Sequence, residues 1–298
     1  MGVPFRHDAA LYGTDEEYLG VVVPFLREGL DAGAPTLLCT AQERADLLCE
    51  ALGDPDGLTV LAAPETLHPY RAAQDDHDTY DGHLAGAPLL HVVSDVRVDA
   101  TTWADWARYE AVRNHLHRER PVRLLCPFDV RGASGDVLDD VARTHPWLLD
   151  GAGTRTASTG YADPAEFLAE RARTERDPLE AGAPALDLAD PTPAQCRAAL
   201  NAIGAPENLV YAASEVVTNA LQHGLPPVRM RAWAAPDRVV VAVHDAGPGP
   251  DDPFVGLLPS GRRALQAGMG LWMAYRMCDR ISVERGPDGC TVRLTCSF

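Results

Sequence analysis

Alternating apolar and polar segments in the first 150 residues predict strands that alternate with helices. Thr14-Asp-Glu-Glu17 is a capping box, so a helix should begin there and run to about residue 30. Further apolar and amphipathic segments predict four strands, at 36–40, 58–61, 88–93 and 122–126, and two helices, at 42–52 and 102–118. The polar stretch 68–87 is expected to be a loop. This alternation favours an α/β fold with a mostly parallel sheet.

The second half of the chain shows a different pattern. A short helix is predicted at 164–173, and the Pro-, Ala- and Asp-rich segment after it reads as a linker. Beyond the linker we expect helices at 194–203 and 206–222, a buried strand at 238–244, and a closing hairpin from 281–284 and 291–297. These elements predict an α/β sandwich, with a mixed sheet on one side and helices on the other. The expected division is a domain at 1–172, a linker at 173–190 and a domain at 191–298.

The helix at 206–222 carries a polar stripe beside its apolar one. Glu215 and Asn219 lie one turn apart, and His223 lies at the edge of the same stripe. Taken alone, such a stripe is typical of a solvated helix face.

Two glycine motifs follow this helix. Asp245-Ala-Gly247-Pro-Gly249 comes at the end of the apolar strand, where glycines let a backbone approach a ligand. Gly268-Met-Gly270-Leu271 then opens a helix that should run to about residue 279. Glycines at a helix start leave N–H groups that suit phosphate. The order Glu-x-x-x-Asn, Asp-x-Gly-x-Gly, Gly-x-Gly-Leu is therefore a specific signal for a nucleotide site.

The three motifs resemble those of the Bergerat-fold (GHKL) ATPases, over roughly residues 189–298. The resemblance implies a Bergerat α/β sandwich that binds ATP with Mg²⁺. It gives Asn219 the role of a Mg²⁺ ligand and Glu215 the role of general base. It makes Asp245 the acceptor of the adenine amino group. The residues expected to contact the nucleotide lie in or beside the motifs: Asn219, His223, Asp245, Gly247, Gly249, Gly268, Gly270 and Leu271.

Composition and charge narrow the expected partners and cellular location of the protein. The net charge is −17, which argues against nucleic acid and against anionic lipid as partners. No apolar run approaches the ~18 residues of a membrane span, and the N-terminus has no signal-peptide pattern, so a cytoplasmic protein without membrane contact is expected. Seven cysteines without a Cys-x-x-Cys arrangement indicate reduced thiols.

The chain also contains no lysine. Any cationic contact to the γ-phosphate must then come from an arginine, and Arg262 and Arg263, between the glycine motifs, are the candidates. Because arginine and lysine are not equivalent, phosphotransfer is a separate question from ATP binding.

The N-terminal domain resembles the MEDS sensory domain. The motifs that carry the resemblance are His7-Asp-Ala, Leu11-Tyr12, 24–29, Tyr109-Glu110 with Asn114, 124–129 and Arg143-Thr-His-Pro146. The resemblance implies a RecA-like sheet without a phosphate loop and a small-molecule ligand. Three residues, His7, Glu110 and Cys126, could converge where open α/β sheets place ligands. The alternative is a structural hydrogen bond between His7 and Glu110, with Cys126 in the core.

A second polar group in this domain has two interpretations. His68, His77 and His83 lie among several aspartates and could bind a divalent metal. Their spacing matches no defined metal signature, so a solvated acidic loop is the favoured interpretation.

The segments 218–224 and 268–274 resemble the anti-sigma factor serine/threonine kinases in particular. This implies a sigma factor and/or a STAS antagonist protein as partner, with a serine as phosphoacceptor. Two alternatives stay open: a nucleotide-dependent binding protein without turnover, and a soluble histidine kinase. A homodimer is compatible with each of them.

Overall fold

A computed structural model describes residues 5–62, 69–95, 103–171, 176–257 and 269–298. The chain divides into two compact units, Met1–Leu168 and Ala169–Phe298. In the described residues, no helix is both long and apolar enough to cross a membrane.

The first unit is built on a seven-stranded sheet. Its strands in chain order are β1 (Arg6–Tyr12), β2 (Thr36–Cys39), β3 (Leu58–Leu61), β4 (Leu90–Ser94), β5 (Val122–Asp129), β6 (Trp147–Leu149) and β7 (Arg155–Ala157). Their order across the sheet is β3-β2-β4-β5-β1-β6-β7. Every pair is parallel except β6 with β7, which confirms the mostly parallel α/β fold.

Six helices connect these strands or follow them: α1 (Asp15–Asp31), α2 (Gln42–Leu52), α3 (Pro69–Leu84), α4 (Trp103–His117), α5 (Gly135–Thr144) and α6 (Pro164–Glu170). The expected capping box is present in part, since Thr14 Oγ1 accepts a hydrogen bond from the Glu17 N–H at 3.1 Å. The core between α1, α2 and the sheet includes Tyr18, Leu26, Leu38 and Leu48.

The expected loop at 68–87 is wrong for the part of it that the structure describes, because α3 occupies most of this stretch. Tyr80 on α3 is fully buried and accepts a hydrogen bond from Arg113 Nη2 at 3.0 Å. Asp76, one turn earlier, accepts from Tyr109 Oη at 2.6 Å. Polar side chains of α3 therefore bind buried residues of α4. A hydrophobic pattern does not reveal a helix that packs through such contacts.

The second unit is a five-stranded sheet with helices α7 (Pro193–Ala202), α8 (Glu207–His223) and α9 (Met269–Met277). Its strands are β8 (Leu186–Ala189), β9 (Arg229–Ala234), β10 (Arg238–Asp245), β11 (Arg280–Gly286) and β12 (Gly289–Ser297), in the spatial order β11-β12-β10-β9-β8. The sandwich is confirmed, but the mixed sheet is wrong, since each pairing of these strands is antiparallel. Short hairpins join β9 to β10 and β11 to β12, and such connections produce antiparallel pairs.

The segment 173–190 is not a linker throughout. Residues Pro178–Ala181 form a 3-10 turn, and β8 pairs with β9 at the sheet edge. Leu179 packs against Trp233, Val240 and Ala242. These residues bury apolar surface on the sheet, so they belong to the second unit.

Helices α8 and α9 lie together in this unit and form the helical side of the site. Asn208 Nδ2, in the first turn of α8, donates to the Met277 carbonyl at the end of α9 at 2.7 Å. On the sheet, Val239, Val241 and Val243 of β10 are buried. Successive residues of a strand face opposite sides of a sheet, so Asp245 shares the side of Val243.

Candidate functional sites

Helix α8 carries the first motif at the boundary between core and solvent. Val216 and Ala220 are buried, whereas Glu215 is exposed and Asn219 is half-buried. The helix ends at Gly224, whose N–H donates to the Ala220 carbonyl at 3.0 Å. Glu215 and Asn219 are thus one turn apart on the same side, as the sequence predicts.

Asp245 is a buried carboxylate held at the end of β10. Its Oδ1 atom accepts hydrogen bonds from the Gly247 N–H at 2.7 Å and the Leu225 N–H at 3.2 Å. Leu225 directly follows α8, so these bonds connect the end of the first motif to the second. Two backbone donors on one oxygen fix the orientation of the carboxylate.

The glycines of these motifs lie where a side chain would collide. A Cβ atom on Gly247 would come within 2.7 Å of Asp245 Oδ1. Gly249 has a φ of +71°, and a Cβ there would come within 2.7 Å of Cys290 Sγ. A Cβ on Gly270 would lie 3.1 Å from both Glu215 Oε2 and Asn219 Nδ2. The fold therefore brings the three sequence motifs together.

These motifs surround a cavity of about 250 Å³. Its walls are mostly aliphatic, and Asn219, His223 and Asp245 are the polar side chains among them. The remaining lining residues are Val216, Ala220, Gly224, Val243, Gly249, Pro250, Val255, Leu271, Val283, Cys290 and Val292. An apolar pocket with a few placed polar groups is the usual form of a small-molecule site, although this volume lies just below the roughly 300–1,000 Å³ typical of such sites.

Three lining residues come from strands for which the sequence predicted no role in the site. Val283 comes from β11, and Cys290 and Val292 come from β12. Burial raises the pKa of Cys290 to about 11, so its thiol is neutral at physiological pH. The two-residue spacing of 290 and 292 on the closing strand is the signal that places both on one face. Arg262, Arg263 and Gly268 lie outside the described residues.

A larger cavity, of about 410 Å³, lies on the other face of the same sheet. Ala242 and His244 line it, whereas their neighbours Val243 and Asp245 line the first cavity. Its charged residues pair with one another: Arg293 Nη1 lies 2.6 Å from Glu284 Oε2, and Arg293 Nε lies 3.0 Å from Glu180 Oε2. None of the motif residues lines this cavity.

In the first unit, His7, Glu110 and Cys126 do converge. His7 Nε2 lies 3.2 Å from Glu110 Oε2 and 3.4 Å from Cys126 Sγ, and all three side chains are buried. His145 joins them, with its Nε2 atom 3.8 Å from Glu110 Oε2. It was given no site role from the sequence, although it belongs to the Arg143-Thr-His-Pro146 motif.

The protonation states of this cluster follow from its burial and from Arg113. Burial alone would raise the pKa of Glu110, but Arg113, at 3.3 Å, and His7 outweigh it, and the pKa falls to about 2. Burial, together with His7, lowers the pKa of His145 to about 3. Burial and the Glu110 carboxylate raise the pKa of Cys126 well above its usual range. At neutral pH the cluster therefore contains a carboxylate, a neutral imidazole and a thiol.

The other histidine group does not form a site in the described residues. His77 Nε2 lies 3.6 Å from Asp81 Oδ2 and 3.2 Å from Arg120 Nη2. His77 Nε2 therefore already has polar partners, and no group of potential metal ligands that includes His77 forms among the described residues. His68 lies outside the described residues.

Comparison with known families assigns both units. Residues 6–146 match the family described as the MEthanogen/methylotroph, DcmR Sensory domain (MEDS). Residues 189–296 match the histidine kinase-like ATPase domain. The chain is a MEDS domain joined to a histidine kinase-like ATPase domain. This combination of a sensory domain with a kinase-like ATPase domain makes the protein a signalling regulator.

Similar solved structures cover only part of this chain. One contains the RsbU and RsbW domains of Rv1364c from Mycobacterium tuberculosis, with 26% identity over 39% of this chain and a TM-score of 0.27. Another is the cytoplasmic domain of EssC, with 12% identity over 48% of this chain and a TM-score of 0.28. This chain spans 34% and 31% of those two chains. No curated protein matches.

Proposed function

We propose that the ATPase domain binds Mg·ATP in the cavity between α8, β10 and α9 and acts as a serine/threonine kinase of the anti-sigma factor type. The observation that carries the proposal is that Asn219 and Asp245 line one cavity, while Gly270 lies against Asn219 and Glu215 beside it. In this proposal the MEDS domain senses a small molecule and controls that activity.

The cavity suits the adenine ring. The base would lie between aliphatic side chains, and the buried Asp245 carboxylate would accept its exocyclic amino group. Because Oδ1 is already held by two backbone N–H groups, the carboxylate is oriented before the ligand arrives. Preorganisation of this kind reduces the ordering that binding would otherwise cost.

The phosphates would lie toward α9 and the polar side of α8. Asn219 offers an amide oxygen, a hard ligand of the kind Mg²⁺ prefers, while water and phosphate would complete its shell. Glu215, one turn away and exposed, would accept the proton of an incoming hydroxyl. Gly270 allows α9 to approach both side chains closely. When bound, Mg·ATP supplies the phosphoryl group.

The proposed acceptor is a serine of a STAS antagonist protein, and a sigma factor is the other proposed partner. Support comes from the Thr218–Gly224 and Gly268–Ala274 segments, which resemble the anti-sigma factor kinases. A nucleotide-dependent binding protein without turnover is the second candidate. The absence of lysine from the chain favours it, because a γ-phosphate contact would depend on arginine alone.

The histidine kinase alternative has less support. His117, in the segment His115-Leu-His117, is fully buried, and its Nδ1 atom lies 3.0 Å from Arg120 Nη1. A phosphoacceptor histidine must be reached by the γ-phosphate of ATP, and the buried ring of His117 is not accessible to it.

The test uses the full chain with γ-labelled ATP, Mg²⁺ and each STAS protein of the host. The kinase proposal predicts label on a serine of one STAS protein, stable to acid. Mg·ATP binding without transfer to any of them would favour the binding protein, and an acid-labile label on the chain itself would favour the histidine kinase. Absence of Mg·ATP binding would contradict all three.

A further inference from the structure

The cluster of His7, Glu110, Cys126 and His145 contains four metal-ligating groups from separate elements of the first unit. His7 lies on β1, Glu110 on α4 and Cys126 on β5, and His145 follows α5. All four are buried, and one potential ligand atom from each lies within 4.8 Å of the others. We propose that this cluster binds one divalent transition-metal ion of the Zn²⁺ class.

The separations between the ligand atoms fit a tetrahedral site. Metal–ligand distances of about 2.0–2.3 Å imply ligand–ligand separations of roughly 3.3–3.8 Å. Glu110 Oε2 lies 3.2 Å from His7 Nε2 and 3.8 Å from both Cys126 Sγ and His145 Nε2. The His7 Nε2 to Cys126 Sγ separation is 3.4 Å. The other two separations are within 4.8 Å, so these pairs must close toward the tetrahedral distance for the four groups to share one ion.

The hydrogen bonds around His7 orient its Nε2 atom toward the cluster. Asn114 Nδ2 donates to the carbonyls of Glu110, at 3.2 Å, and Thr144, at 2.6 Å. This fixes the amide so that its Oδ1 atom faces His7 Nδ1 at 3.1 Å. The Nδ1 atom must then carry a proton, and Nε2 faces Glu110 Oε2 at 3.2 Å. Metal-binding histidines are oriented by this kind of second contact.

His145 is arranged in the same way. Its Nδ1 atom lies 2.9 Å from the Val141 carbonyl, which selects the Nδ1–H tautomer. Within the part of the chain that the structure describes, His145 Nε2 and Glu110 Oε1 are buried without a hydrogen-bond partner. Two imidazole Nε2 atoms thus face a buried carboxylate, and a cation or a proton between them would satisfy all three groups.

Arg113 does not remove this requirement. Its Nη1 atom lies 3.3 Å from Glu110 Oε2 and 3.5 Å from Cys126 Sγ, and its Nε atom lies 3.0 Å from Asp76 Oδ2. One guanidinium is therefore shared between two carboxylates, and the cluster keeps the negative charge of one of them.

The donor set determines the class of metal. Two imidazoles, one sulfur and one carboxylate suit Zn²⁺, Co²⁺ or Fe²⁺, whereas Mg²⁺ and Ca²⁺ prefer oxygen ligands alone. Four protein ligands leave no open position, which is typical of a structural or sensing site and not of a catalytic one. When the sulfur–metal bond forms, the Cys126 thiol releases its proton to water. Occupancy would be the signal of the sensory domain, and this part rests on the proposed function.

The experiment titrates untagged full-length protein, stripped with a chelator, with Co²⁺ and then with Zn²⁺. We expect about one Co²⁺ per chain, a sulfur-to-cobalt charge-transfer band in the near ultraviolet, and release of about one proton per ion. Zn²⁺ should displace the Co²⁺ and abolish the band. Cys126→Ser should remove the band, whereas Cys39→Ser, a buried thiol on the same sheet, should retain it. Asn114→Ala should weaken Co²⁺ binding about 10- to 100-fold.

The wild-type spectrum makes the test independent of whether a variant folds. A wild-type protein that binds no Co²⁺, or that binds it without the thiolate band, would overturn the inference and leave a proton as the shared cation. Mg·ATP affinity, measured on the same preparation without added transition metal, reports on the ATPase domain alone. A failure at the metal cluster is thereby distinguishable from a failure of the proposed kinase function.

Discussion

Gly270, in the first turn of α9, lies directly against Asn219 in α8. A Cβ atom at position 270 would be 3.1 Å from Asn219 Nδ2 and 3.1 Å from Glu215 Oε2, a separation tighter than ordinary van der Waals contact. The absence of a side chain at position 270 therefore leaves room for both polar groups beside α9.

Gly270→Ala should weaken Mg·ATP binding with little loss of stability. The added methyl group must displace Asn219 or Glu215, while alanine itself favours a helix by about 0.5–1 kcal/mol over glycine. Isothermal titration calorimetry and thermal melting measure the two effects. The matched control is Gly20→Ala in α1, where a Cβ meets nothing within 4 Å. Equal nucleotide affinity in both variants would show that the contact at Gly270 has no role in binding.

Asp245→Asn should weaken ATP binding by ~1–3 kcal/mol and reduce the preference for ATP over GTP. If the amide oxygen keeps the bonds to Gly247 and Leu225, its NH₂ group faces the adenine amino group, donor against donor. Guanine presents a carbonyl oxygen at that position, so GTP loses less. Competition binding with both nucleotides is the measurement. Unchanged affinity and selectivity in a folded variant would make the Asp245 loop structural.

The two units should differ in nucleotide binding. A fragment of residues 176–298 should bind Mg·ATP, whereas residues 1–168 should not, because the three motifs lie in the former and the chain has no phosphate loop in the latter. Calorimetry on both fragments, with circular dichroism to establish folding, is the check. Binding by the N-terminal fragment would contradict the assignment.

His117 should make the protein less stable in mild acid. Burial, with Arg113 and Arg120, lowers the pKa of His117 well below its ordinary value of 6.5. Below pH 6.5 the unfolded chain binds a proton there that the folded chain does not, so stability is lost as the pH falls. One such proton lowers the free energy of unfolding by about 1.4 kcal/mol per pH unit, or by about 2 kcal/mol between pH 6.5 and 5.

Denaturant unfolding of wild type and His117→Gln across pH 5–7 tests this. The stability of the variant should fall less between pH 7 and pH 5 than that of wild type. His83→Gln, on α3, is the matched control and should follow wild type. An equal loss of stability between pH 7 and pH 5 in wild type and His117→Gln would contradict the role assigned to His117.

Local pattern was sufficient for much of the fold. The helix at 42–52 was predicted with the bounds that α2 has, and β10 and α8 were predicted within one residue at each end. In these segments apolar periodicity and caps agree with the final burial. Of the residues predicted from the three nucleotide motifs, five line one cavity: Asn219, His223, Asp245, Gly249 and Leu271.

Two of the missed elements, β1 and α3, have polar residues at buried or partly buried positions. Strand β1 lies between β5 and β6 in the sheet, yet it was not predicted as a strand. Its buried residues include His7 and Asp8, and Asp8 Oδ2 pairs with Arg155 Nε at 2.8 Å. Arg155 is 147 residues away from Asp8, so a local hydrophobic pattern does not contain this pair. For the same reason, the local pattern predicted neither α3 nor the position of His145.

The central claim is that Glu215 and Asn219 have separate roles at one Mg·ATP site, and a paired measurement on Glu215→Ala and Asn219→Ala tests it. For each folded variant, calorimetry gives the Mg·ATP affinity and single-turnover assays give the rate of phosphotransfer to the STAS protein. Glu215→Ala should keep affinity within a few-fold and lose roughly 10²–10⁴ in rate, the usual contribution of a general base. Asn219→Ala should lose the Mg²⁺-dependent part of ATP binding, because it removes a metal ligand. If both variants melt like wild type and neither shows its assigned defect, α8 presents a solvated face and the kinase proposal is contradicted.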